Sequence, residues 1–65
     1  MVVTIQAPSS AAQKRAFSQC MIMGLEATVL EDNCIDLVVQ QLWKAKHVAG
    51  MVDGEIVAVH DRVKI

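Results

Sequence analysis

A chain of 65 residues with six Lys and Arg against seven Asp and Glu has room for one small domain and none for a separate catalytic or regulatory unit. Its formal net charge of −1 argues against nucleic acid as the main ligand, because phosphate binding needs a concentrated cluster of Lys and Arg. Hydrophobic residues make up 54% of the chain, a high share for a domain this short, which buries only about 60% of its unfolded surface. The apolar surface left over is most simply covered by a protein partner, in the first place a second copy of the chain.

Val2-Val3-Thr4-Ile5-Gln6 is β-branched over four positions and ends at Ala7-Pro8, which predicts a short strand closed by a residue that cannot continue a ladder. Ser10 followed three positions later by Gln13 has the capping-box spacing and predicts a helix over 11–23. Ala16, Phe17, Cys20 and Met21 share its core face, while Lys14, Arg15, Ser18 and Gln19 lie away from it. Gly24 is placed to stop that helix at C′, with Leu25 folding back on the last turn.

Residues 25–31 can be read as a strand or as a loop or helical turn. The β-branched pair Thr28-Val29, bracketed by charged residues, favours a strand that returns parallel to the first in a β-α-β unit. Asp32-Asn33 offers N-cap chemistry, with Asp36 in the first turn of a second helix. Its core stripe would be Ile35, Val38, Val39, Leu42 and Lys46, with Asp36, Gln40 and Lys44 opposite. The basic residues Lys44, Lys46 and His47 then fall at its C-terminal end.

The strongest local signal is Asp53-Gly54 between Val48-Ala49-Gly50-Met51-Val52 and Glu55-Ile56-Val57-Ala58-Val59. This dipeptide tolerates the positive φ angles of a type I′ turn and predicts a C-terminal β-hairpin. In that register Val52 opposes Glu55, Val48 opposes Val59 and His47 opposes His60. Val48, Val52, Val57 and Val59 then face the core, leaving Ala49, Met51, Ile56 and Ala58 on an outer face that is apolar for a solvated surface. The expected fold class is α+β, with two amphipathic helices on one face of a small sheet, in the order β-α-β-α-β-β, or β-α-α-β-β if 25–31 is not a strand.

Chemistry is sparse. The glycines at 24, 50 and 54 are isolated and form no phosphate loop, and no spacing brings a nucleophile, a base and an acid together. Neither catalysis nor a cofactor is expected. Cys20 and Cys34, with thirteen residues between them, match no paired metal-ligand spacing and read as free, buried thiols. His47, His60 and Asp61 would be neighbours in the hairpin register but fall short of the usual four zinc ligands, so no metal is expected. No apolar run reaches the roughly 20 residues of a membrane span, and no leader pattern is present, so a soluble, cytoplasmic protein without a membrane partner is expected.

The leading expectation is a non-catalytic protein–protein interaction module, a small accessory, inhibitory or adaptor protein, homodimeric through Met51, Ile56 and Ala58 of the hairpin together with Trp43. The alternative is a small Cro-like or winged-helix DNA-binding regulator, using Lys14, Arg15, Lys44 and Lys46, with Arg62 and Lys64 in the tail. Nucleic acid is the less favoured partner, because no aromatic residue is interleaved with these cations and seven acids dilute their field.

Overall fold

A computed structural model describes residues 1–60 of the chain. Val2–Gln6 forms strand β1 as its β-branched run predicts, and Ser10–Ile22 forms helix α1. The helix starts one residue earlier than the capping-box spacing indicates. Its N-cap is Ser9, whose Oγ accepts the backbone N–H of Ala12 at 3.1 Å. Its C-terminal stop follows the sequence: Gly24 has φ +75°, its N–H reaches the carbonyl of Met21, and the N–H of Leu25 reaches that of Cys20 at 2.8 Å. Those two bonds make a Schellman motif.

Glu26–Val29 is strand β2, Cys34–Val38 strand β3, Leu42–Met51 helix α2 and Glu55–His60 strand β4. The molecule is therefore α+β, with two helices and a four-stranded sheet in the order β2-β3-β1-β4, antiparallel throughout. Strand β2 does run parallel to β1, as expected for a β-α-β unit, but β3 lies between them. Likewise β3 and β4 run the same way with β1 between them. Two split β-α-β units interleaved in this manner make the ferredoxin-like topology, an arrangement that hosts many unrelated activities and names none of them.

Two expectations from the sequence are corrected. Residues 34–38 are strand, not the start of the second helix, and 48–51 are helix, not the first arm of a C-terminal hairpin. In β3, Ile35 and Leu37 are buried and Val39 beyond it is too, whereas Asp36 and Val38 are half-buried on the other face. That is the period of two of a strand. In the second helix Ala45, Val48 and Ala49 are buried, with Val52 after its end, at the three- and four-residue spacings of a helical stripe.

Asp32-Asn33, read as an N-cap, is instead the tight turn of the β2–β3 hairpin. Both residues have positive φ, 58° and 62°, the requirement of a type I′ turn. Conversely, Asp53-Gly54 does not turn a hairpin. Asp53, at φ 55°, is the left-handed residue after the C-cap Val52, and the N–H of Gly54 bonds the carbonyl of Ala49 at 2.9 Å. The dipeptide stops α2 and feeds β4.

Gly54 is required by crowding. A Cβ there would lie 2.8 Å from the carbonyl oxygen of Gln6 and 3.1 Å from Cγ2 of Ile5. Gly54→Ala is expected to lower unfolding stability by about 1–3 kcal/mol. Gly50, exposed in α2 with nothing near its missing Cβ, should behave oppositely, Gly50→Ala adding up to about 1 kcal/mol through helix propensity. Urea titration of the two variants checks both signs.

Both helices cover one face of the sheet, α1 over β2 and β3, α2 over β1 and β4. Val3, Ile5, Ile35, Leu37 and Val39 form the floor of the core. Ala12, Ala16 and Cys20 of α1, and Ala45, Val48 and Ala49 of α2, form its roof. The expected core face of α1 is thus rotated: Ala16 and Cys20 are buried, but Phe17 is only half-buried and Met21 is exposed. Gln13 takes an inward position in its place.

Candidate interaction surface

The sheet and its topology decide which apolar side chains the core leaves outside. On the open face, cross-strand register produces two full rows, Glu26, Val38, Val2 and His60, then Thr28, Asp36, Thr4 and Ala58. The hydroxyl of Thr4 donates to the carboxylate of Asp36 across the two central strands. Only Val2, Val38 and Ala58 of these eight are apolar, and all three are half-buried, so the open face itself is not a large apolar patch.

Strand β4 is different. It is an edge strand with no neighbour beyond it among the described residues, and Ile56-Val57-Ala58-Val59 is an uncharged run along it. The register shifts between Thr4, opposite Ala58, and Ile5, opposite Ile56. Val57 is therefore an extra residue in a β-bulge. Val57 is 50% and Val59 48% exposed. The hairpin reading had both facing the core; Val59 does lie on the helix side, opposite Val3, but half-exposed at the edge, and Val57 is the residue that departs. An edge of this composition presents unpaired N–H and C=O groups beside apolar side chains, the usual template for adding a strand.

The four residues expected at a partner interface are dispersed. Ile56 packs against the core on the helix side, and Ala58 lies half-buried on the open face opposite Thr4. Met51 ends α2 and is exposed rather than sitting on a strand. Trp43 stands in the first turn of α2, 58% exposed, its indole N–H donating to Oε1 of Gln41 at 2.6 Å. The ammonium of Lys44 is 5.8 Å from the centre of its ring, near the limit for a cation–π contact. Met21 and Ile22 at the end of α1 are also exposed. They share with Trp43 the end of the molecule where Val2 pairs with Val38.

Among the described residues the cations do not converge. α1 starts after the Gln6 end of β1 and α2 after the Val38 end of β3, and Val38 pairs with Val2 at the opposite end of the sheet. Lys14 and Arg15 in the first half of α1 thus lie toward one end of the helix layer, and Lys44 and Lys46 in the first half of α2 toward the other. Lys44 and Lys46 lie in the first half of α2 and His47 at its middle, not at a C-terminal end. A hairpin separates the two helices, so they do not make a helix-turn-helix. His47 is exposed on α2 and His60 ends β4 opposite Val2, so the expected cross-strand histidine pair is not formed. Asp61, Arg62 and Lys64 lie outside the described residues.

An open cleft of about 430 Å³ gathers at the loop end, lined by Gln6, Ala7, Pro8, Asn33, Asp53 and Glu55. Its walls carry two carboxylates, Asp53 and Glu55, and two amides, Gln6 and Asn33. Both cysteines are free, but only Cys20 is fully buried, Cys34 being half-buried on β3. Burial pushes the Cys20 thiol up from its ordinary value. A thiol-reactive dye should therefore label Cys34 in the native protein and Cys20 only after unfolding. The same shift contributes stability that is complete below the ordinary thiol range and lost as pH rises through the raised value.

The topology defines a small α+β protein of ferredoxin-like arrangement. Compared with known protein families, curated proteins and solved structures, the chain has no match.

Proposed function

We propose that the chain is a non-catalytic protein–protein interaction module that associates with a second copy of itself. The observation that supports this reading is the uncharged edge strand β4 with Val57 and Val59 half-exposed, in a chain whose hydrophobic content is 54%. An uncharged edge invites pairing unless something blunts it, and of the features that do so β4 carries the bulge at Val57 but no charge between its ends. Among the described residues the cations are divided between the two ends of the helix layer and offer no concentrated field for a phosphate backbone.

Light scattering across a concentration series tests the reading. The expected result is a mass that rises from one chain toward two as concentration increases through the micromolar range. A strict monomer at high micromolar concentration would overturn self-association.

A further inference from the structure

We infer that the second copy docks by antiparallel pairing of β4 with β4, in a register that sets Glu55 of each copy opposite His60 of the other. This rests on the interaction reading above and specifies its seam.

The two edges of the sheet are unequal. β2 has four residues and carries Glu26 on it, short and charged in the manner of a protected edge. β4 has six residues, with its charged or ionisable side chains only at the ends, Glu55 and His60, and four apolar residues between. A strand that pairs with itself about a two-fold axis must be self-complementary, each residue meeting a partner on the same face of the sheet. In a regular strand, Glu55 and His60, five positions apart, would point to opposite faces.

The extra residue at Val57 changes that parity. Glu55 pairs with Gln6, Ala58 with Thr4 and His60 with Val2 on the open face, whereas Ile56 pairs with Ile5 and Val59 with Val3 on the helix side. Opposing Glu55 with His60 therefore joins open face to open face. The same register opposes Ile56 with Val59, helix side to helix side. The acidic and imidazole side chains complement each other at both ends of the seam, and apolar residues fill its interior. The two bulges meet at the axis, where Val57 of one copy adjoins Ala58 of the other, with matched pairs on either side. No other in-face register aligns as many pairs. Helix α2, which lies over β1 and β4, flanks the seam and adds its surface to the contact.

Sedimentation equilibrium on the full chain tests the seam, with circular dichroism as the check on folding. Val57→Lys, which sets like charges at the axis, should weaken the dimer at least about ten-fold, and Thr28→Lys on the other edge should leave it unchanged. Glu55→Lys, exposed and clear of the core, should weaken it about three- to ten-fold, and Glu55→Lys with His60→Glu should restore it. If the wild-type chain dimerises and Val57→Lys leaves the constant unchanged, β4 is not the seam, although self-association stands. If Val57→Lys dissociates the dimer but the double exchange gives no rescue, the register is wrong. A wild-type monomer at every concentration removes the seam and the self-association reading together.

Discussion

Leu37→Ala should cost about 2–5 kcal/mol of unfolding stability, and Val38→Ala, one residue further on, less than about 1 kcal/mol. The asymmetry follows from the period of two along β3. Leu37 is fully buried, paired with Val3 on one side and Ala27 on the other, beneath the helices. Removing its isobutyl group leaves a cavity in a wall that the backbone ladders hold on both sides, so collapse is limited. Val38 belongs to the open face, half-buried between Val2 and Glu26. Were residues 35–46 helical, Val38 would lie on the core stripe and Leu37 off it, and the order of the two losses would be reversed. A domain of this size rarely holds more than about 3–5 kcal/mol in total, so Leu37→Ala is expected to be largely unfolded at ambient temperature. Urea melts of both variants, followed by circular dichroism, read the difference.

The same stretch shows what was legible in the sequence. Ile35, Leu37 and Val39 fit a strand, while Ile35, Val38, Val39 and Leu42 fit a helix, and both patterns exist in one run because five of the eight residues at 35–42 are apolar. Periodicity separates strand from helix only where polar residues interrupt it, and here Asp36 alone does so before Gln40. The turn chemistry was legible in residue type but not in context. Asp32-Asn33 and Asp53-Gly54 both supply residues that accept positive φ, and three of these four take it. One pair uses it to turn a hairpin and the other to stop a helix. Asp and Asn serve N-caps, hairpin turns and left-handed helix stops alike, so the local sequence leaves the choice to packing. By contrast, Gly24 after the apolar end of α1 has one economical role, and the structure gives it that role. The candidate seam was hidden for another reason: the parity of β4 depends on a bulge at Val57, which only the pairing with β1 reveals.

Gln13 presents the other large expectation. Its side chain is almost fully buried at the start of α1, and its Nε2 group donates to the carbonyl oxygens of Leu30 at 2.9 Å and Cys34 at 2.8 Å. Those two carbonyls are the last of one arm and the first of the next, either side of the Asp32-Asn33 turn, and the carbonyl of Cys34 also accepts the N–H of Leu30. A single amide thus ties the helix to the hairpin at the point where the chain reverses. Gln13→Leu keeps the volume but removes both donors, leaving the part-buried carbonyl of Leu30 without its side-chain partner and that of Cys34 with the N–H of Leu30 alone, and should cost about 1–2 kcal/mol. Gln13→Glu should be worse at neutral pH, because a carboxylate would face two carbonyl oxygens and could donate to neither. The sign of its pH dependence follows. The carboxyl must be protonated to donate, so its folded pKa is raised above the unfolded value. Its contribution is then complete below the unfolded pKa and lost as pH rises through the folded one. Gln13→Glu should gain on Gln13→Leu as the solution is acidified from neutrality toward pH about 4, the ordinary Glu range. Urea melts at the two pH values measure this. An unchanged difference between the variants would mean that the donors of residue 13 do not hold the hairpin.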